Sequence, residues 1–159
     1  MENRLDGTIV IPNDIFFGQV AESLSEGRNV VFTVKGYSMY PFFRNGKDRV
    51  CVTGYDGREL HRGEIILFRY RGKYLLHRIY GVERSPDGSL SYRTVGDGNI
   101  RGSESAVPRT VIGVAVKRVS PSGREWSCTS WTWKVFSALW MGLYFLRRWC
   151  LAFLRRVYR

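Results

Sequence analysis

The 159-residue sequence predicts one mainly β domain with a single N-terminal helix, followed by a basic amphipathic C-terminal helix. Short segments rich in β-branched and aromatic residues recur between turns that contain Gly or Pro, a pattern typical of successive strands. Hydrophobic residues make up 44% of the chain and aromatic residues 14%, which suits a packed core and excludes a disordered chain. The composition changes after Ser-Pro-Ser-Gly at 120–123. We therefore divide the chain into a β domain at 1–119, a linker at 120–130 and a helix at 131–159.

The elements follow in order along the chain. Residues 8–11 are a candidate strand, and Asn13 or Asp14 is a candidate N-cap for a helix over about 13–26 that Gly27 ends. Arg71-Gly72 is predicted to be a hairpin turn, and the Gly-rich stretches at 53–63 and 96–108 are predicted to be irregular. The predicted strands cover residues 30–35, the segment around 50–52, and residues 64–70, 73–82, 90–95 and 111–119.

The charge balance points to an anionic partner. The chain has 25 Lys and Arg against 14 Asp and Glu, for a formal net charge of +11. Much of this charge lies in the last thirty or so residues beside Trp and Leu, which favours a membrane surface over nucleic acid. The three cysteines show no CxxC spacing, so we expect reduced thiols and no metal or cofactor.

The C-terminal segment has the helical periodicity of an amphipathic helix. Its apolar side is expected to carry Val135, Leu139, Leu143, Leu146, Cys150, Phe153, Leu154 and Val157. The opposite arc gathers Ser137 with the basic residues Lys134, Arg148, Arg155, Arg156 and Arg159. Arg147 departs from this pattern.

A membrane-surface helix explains this segment better than a membrane span. The apolar run at 135–146 is shorter than the roughly 20 residues that a span needs. A helix in the lipid interface places aromatic residues at headgroup depth and arginines against anionic lipid. Without an apolar N-terminal segment, this helix must make the membrane contact, and we expect the cytoplasmic face. The expected contact residues are Trp140, Arg148, Trp149, Arg155 and Arg156; the alternative is a helix packed on a partner or on the domain itself.

One serine and one histidine are candidates for catalysis. Ser38 lies at a predicted strand-to-turn corner between Gly36 and Pro41, where a hydroxyl can be exposed and yet supported. His77 lies on the apolar face of a predicted strand, where a buried neutral imidazole could take the serine proton. Asp97, in Val-Gly-Asp-Gly-Asn, is a candidate for the acid that orients the ring. Each residue alone also fits an ordinary turn or core position.

The blocks that carry these residues resemble signal peptidases in order and spacing. They are GYSMYPFFRNGKDRV, RGEIILFRYRGKYLLHRI, YRTVGDGN and VIGVAV, within about 30–119, and they are most similar to the Ser-His branch of that family. The resemblance implies the β-ribbon catalytic fold shared with LexA-type repressors. It also implies Ser38 as nucleophile and His77 as general base, with Gly36, Met39 and Pro41 shaping the site. The acid lies either at Asp97 or, further along, at Glu104.

The resemblance predicts a serine endopeptidase that cleaves leader or signal peptides after small residues. Its expected partners are a peptide or preprotein substrate and an anionic membrane surface, with no nucleic acid. A catalytically inactive peptide- or membrane-binding module with the same fold is the alternative. A self-cleaving regulator fits less well because no helix-turn-helix pattern precedes the domain.

Overall fold

The computed structural model describes residues 3–5, 8–10 and 13–157, without the side chains of residues 3–5, 8–10, 13, 14 and 155. The prediction of a mainly β fold with an N-terminal helix is confirmed. The helices are α1 Asn13–Ser25, α2 Trp131–Gly142 and α3 Arg147–Val157. The strands are β1 Asn3–Leu5, β2 Thr8–Val10, β3 Val30–Thr33, β4 Arg49–Gly54, β5 Ile65–Tyr70, β6 Lys73–Arg84, β7 Leu90–Val95, β8 Glu104–Ala106, β9 Val111–Val119 and β10 Glu125–Ser127.

Strands β3 to β10 form one antiparallel eight-stranded sheet in the order β3-β4-β9-β5-β6-β7-β8, with β10 added to β9. Strands β1 and β2 form a separate small hairpin. Successive side chains on β5 enter different cores, because residues alternate between the two faces of a sheet. Ile65 and Leu67 pack with α1, with Trp133 and with the loop between β3 and β4 that carries Ser38 (the Ser38 loop). Ile66 and Phe68 pack with Tyr92 and other residues in a second core.

Two short strands lie where the sequence predicts irregular structure. Strand β8 falls inside the stretch 96–108 and pairs with β7, and β10 falls inside the predicted linker and pairs with β9. Each has only three residues, Glu-Ser-Ala and Glu-Trp-Ser. Such segments are too short and too polar to show a strand pattern, so tertiary pairing decides their structure.

The prediction of one continuous C-terminal helix is wrong. The segment forms α2 and α3 with a 3₁₀ turn between them at Tyr144–Leu146. Ser130 caps the start of α2, since its hydroxyl accepts a hydrogen bond from the Trp133 N–H. Trp133 is buried and packs against Phe42 and Phe43, so α2 covers one core of the domain. No helix in the described part of the chain has both the length and the apolar character needed to cross a membrane.

Candidate active site

Ser38 lies in the loop between β3 and β4, which is tied down on both sides of the serine. The side chain of Asn45 accepts a hydrogen bond from the Gly36 N–H at 2.8 Å, and Gly36 has a φ of 89°, which favours glycine. Met39 is 1% exposed and packs in the core beneath the loop. The Tyr40–Pro41 peptide bond is cis. Ser38 itself is partly exposed, so the loop presents a supported hydroxyl.

A second group of bonds holds the far end of the same loop. The buried Asp48 carboxylate accepts hydrogen bonds from the backbone and guanidinium of Arg44 and from Arg118. Burial alone would raise the pKa of Asp48, but the bonds from Arg44 and the charge of Arg118 hold that pKa below its ordinary value. This ion-pair cluster fixes the chain where it enters β4.

The Ser38 loop contacts the Gly-Asp-Gly turn that follows β7. The Gly98 N–H donates a hydrogen bond to the Ser38 carbonyl oxygen at 2.7 Å. A Cβ on Gly96 would lie 2.5 Å from that same oxygen, and a Cβ on Gly98 would collide with the carbonyl of Tyr37. The two glycines are therefore required for close backbone approach, not merely for a turn.

This contact brings the Ser38 backbone to the face that carries His77. Arg78 and Val95 are the last pair of the β6–β7 ladder, so the turn begins beside the end of the ladder where His77 precedes Arg78. Among the described residues, no hydrogen bond joins the Ser38 hydroxyl to the His77 ring.

Two backbone N–H groups, those of Ser38 and Met39, adjoin the serine side chain in the loop. Within the described ranges, the N–H groups of Ser38 and Met39 make no backbone hydrogen bond. Unpaired N–H groups beside a nucleophile can stabilise an oxyanion.

Glu104 is the acid that contacts His77. The Nδ1 atom of His77 lies 2.8 Å from Oε2 of Glu104, and their side chains are 4% and 21% exposed. The ring also packs edge-on against Phe68, with centroids 6.3 Å apart. A carboxylate only accepts hydrogen bonds, so a neutral His77 ring facing an ionised Glu104 would carry its proton on Nδ1 and leave the Nε2 lone pair available. Glu104 is brought to this position by β8, whose pairing places it beside Thr94 of β7.

Asp97 has a different partner. Its carboxylate accepts three hydrogen bonds from Arg78, at 2.7, 2.9 and 3.1 Å, and both side chains are fully buried. Burial raises the pKa of Asp97, while the charge and hydrogen bonds of Arg78 act in the opposite direction. Arg78 also packs over the ring of Phe42 at 4.3 Å. The Arg78–Asp97 pair therefore supports the Gly-Asp-Gly turn from within the domain. Of the two candidate acids, only Glu104 bonds to His77.

The C-terminal helices contact the same turn from outside the sheet. The Trp140 indole N–H donates to the Asp97 carbonyl at 3.1 Å, and the Ser137 hydroxyl accepts from Arg78 at 2.8 Å. Arg147 is 1% exposed and donates to the carbonyls of Gly96 and Asn99. The prediction that Trp140 contacts a membrane is thus wrong, because its side chain is buried against the site.

The other predicted membrane-contacting residues lie on α3. Trp149 is 71% exposed, and Arg148 and Arg156 are exposed as well. The side chain of Arg155 lies outside the described residues. Exposure leaves these residues free for a surface contact, so their role stays a prediction.

Sequence reasoning missed the supporting arginines. Arg78 alternates with His77 on β6 and therefore points to the opposite face, where its charge is matched by Asp97. Arg147 interrupts the amphipathic pattern, and this departure was the available signal that its side chain faces inward. That signal does not identify the partners of Arg147, which are the backbone carbonyls of Gly96 and Asn99 and the hydroxyl of Tyr80.

The chain matches no protein-family model, and no curated protein is similar enough to count as a match. The resemblance to signal peptidases therefore stays a prediction.

Proposed function

We propose that the protein is a serine endopeptidase of the signal-peptidase type, with Ser38, His77 and Glu104 as its catalytic residues. The observation that carries the proposal is the buried His77 ring, which bonds to Glu104 and lies next to the last pair of the β6–β7 ladder, where the turn that contacts the Ser38 loop begins. A neutral imidazole with a free Nε2 and a carboxylate on Nδ1 is the arrangement that a serine nucleophile requires. The sequence blocks around these residues agree with it.

In the proposed reaction, the Ser38 oxygen attacks the carbonyl carbon of a peptide bond while His77 Nε2 takes the hydroxyl proton. Glu104 stabilises the imidazolium, and the N–H groups of Ser38 and Met39 bind the oxyanion. The imidazolium then gives its proton to the departing amine, which leaves an acyl ester on Ser38. Water, activated by His77, hydrolyses that ester and restores the hydroxyl.

The proposed substrate is an extended peptide with small residues before the cleaved bond. Strand β3 is an edge of the sheet and runs directly into the Ser38 loop. An extended peptide can add to such an edge by main-chain hydrogen bonding, which would deliver its carbonyl to the serine. The small-residue preference rests on the resemblance to signal peptidases.

Cleavage of a leader-bearing peptide by matched variants tests the proposal. Ser38→Ala and His77→Ala are each expected to lower kcat by at least about 10²-fold, since each removes a group that acts in the transition state. The matched controls remove the same chemical groups at exposed positions. Ser105→Ala on β8 removes another serine hydroxyl, and His61→Ala removes the only other histidine of the sequence. Undiminished cleavage by either active-site variant would refute the proposal.

A non-catalytic module that binds peptides is the second candidate. The separation of the Ser38 hydroxyl from the His77 ring favours it, since no hydrogen bond joins them among the described residues. Catalytic contacts in an empty site are often loose and tighten when substrate binds, so the same observation also fits an enzyme. Peptide binding without turnover would select the module.

A further inference from the structure

The C-terminal helices carry a large apolar surface that the domain does not cover, which we name the outer face. Eight large apolar residues at 131–157 are more than half exposed, and the largest of them are Trp131, Phe136, Phe145, Trp149 and Phe153. The opposite side of α2 is also apolar, with Trp133, Trp140 and Met141 buried against the domain. A helix that is apolar on both sides needs a second contact. The outer face therefore requires a partner that removes it from water.

The charge around the outer face identifies the kind of partner. Residues 126–159 contain no Asp or Glu, and their basic residues are Lys134, Arg147, Arg148, Arg155, Arg156 and Arg159. Arg148 and Arg156 are exposed on the helix that presents Trp149 and Phe153. Apolar and aromatic residues beside arginines match the interface of an anionic bilayer. A second copy of this chain would bring the same positive charge to the contact and repel it.

The inner side of the same helices contacts the turn at residues 96–99, and this contact requires the burial of the charged Arg147 side chain. Arg147 donates to the carbonyls of Gly96 and Asn99 and to the hydroxyl of Tyr80, but it pairs with no carboxylate among the described residues. Its buried Nε has no hydrogen-bond partner in the described part of the chain. Burial lowers the pKa of Arg147 to about 10. The rings of Tyr80, Trp140 and Tyr144 lie 5.1–5.6 Å from the guanidinium and offset part of its lost hydration. A buried guanidinium without a carboxylate still carries a desolvation cost, so a contact that holds α3 in place favours the inserted position of Arg147.

We propose that the outer face docks on an anionic lipid surface and that docking keeps Arg147 inserted, so that lipid stabilises the turn that positions Ser38. When Arg147 points inward, α3 is oriented so that Trp149 and Phe153 face outward. Lipid that binds these two side chains therefore binds the conformation in which Arg147 is buried. Binding to one conformation shifts the population toward that conformation. The role of this contact in regulating catalysis rests on the proposed function, whereas the docking and the ordering of the turn do not.

Vesicle flotation with the full chain tests the docking step. We expect binding to phosphatidylcholine vesicles that contain about one third phosphatidylglycerol, weakened by salt and much weaker on pure phosphatidylcholine. Trp149→Ser with Phe153→Ser removes two large apolar side chains and is expected to reduce the affinity roughly 100-fold. Val31→Ser, on an exposed apolar residue of β3, is the matched control and should bind like the wild type.

Hydrogen exchange of the Gly98 amide tests the ordering step without relying on activity. This amide donates to the Ser38 carbonyl, so its exchange reports the contact between the turn and the loop. We expect anionic vesicles to slow its exchange, by at most about 100-fold when lipid exceeds its Kd by about 100-fold. Arg147→Gln should bind vesicles but lose this protection, and Arg147→Lys, which keeps a charged donor, should retain part of it.

The outcomes separate the two proposals. Vesicle binding without slower exchange at Gly98, equal binding to neutral vesicles, or dimers that form in place of vesicle binding would overturn the inference. Protection that survives Arg147→Gln, with circular dichroism showing a folded variant, would also overturn it. Lipid-dependent protection in a protein that cleaves no peptide would support the inference and count against the proposed function.

Discussion

Replacing Glu104 by Gln tests which acid, Glu104 or Asp97, is the third member of the proposed catalytic site. The variant keeps the size of the side chain and removes the charge that faces His77 Nδ1 at 2.8 Å. Two unit charges about 4 Å apart interact by about 4 kcal/mol at an effective dielectric constant of about 20. Partial exposure of Glu104 reduces this to about 2–3 kcal/mol. We therefore expect kcat to fall roughly 30- to 150-fold, because the imidazolium forms only as the reaction proceeds.

Steady-state cleavage of a leader-bearing peptide by the purified variant measures this effect. KM should stay near the wild-type value, since Glu104 contacts the histidine and is not proposed to contact the peptide. Glu125→Gln, at an exposed ion pair with Lys117, controls for loss of one surface charge. A change in kcat below about 3-fold in a folded Glu104→Gln variant would show that Glu104 does not support the base.

Three further predictions concern the support of the site. Asp97→Asn leaves the buried charge of Arg78 unbalanced, so it should lower the free energy of unfolding by about 3–5 kcal/mol in urea titrations; a smaller loss than about 1 kcal/mol would contradict the ion-pair account. Gly98→Ala should displace the Ser38 loop and reduce both kcat and thermal stability, because the new Cβ collides with Tyr37; wild-type values would contradict the close approach. Cys128 is partly buried, and desolvation raises its pKa to about 12, so iodoacetamide at neutral pH should alkylate it roughly 10³-fold more slowly than a free cysteine; fast alkylation detected by peptide mapping would contradict the desolvation of this thiol.

The sheet was predictable from sequence wherever a strand was long enough to show its own pattern. Strands β5 and β6 have alternating or continuous apolar residues and a Gly-containing turn between them, and all three were predicted. Strand β8 has only three residues and no pattern, so its pairing with β7 depends on contacts that the sequence does not display. The break between α2 and α3 also depends on a contact between distant parts of the sequence. Helix α3 begins at Arg147, whose side chain turns inward and donates to the carbonyl of Gly96.

The candidate site was predictable in its residue types but not in their pairing. Both Asp97 and Glu104 follow β7 within a short distance, and nothing in the sequence says which one reaches His77. The direction of side chains on β6 decides it. His77 and Arg78 point to opposite faces, so Arg78 takes Asp97 and the histidine is left for Glu104.

Covalent labelling tests most directly whether Ser38 and His77 act together. A fluorophosphonate reacts with an activated serine hydroxyl, and peptide mapping identifies the modified residue. We predict an adduct on Ser38 whose rate of formation falls by at least about 10²-fold in His77→Ala and is unchanged in His61→Ala. The absence of an adduct on Ser38, or equal rates in the wild type and His77→Ala, would contradict the account.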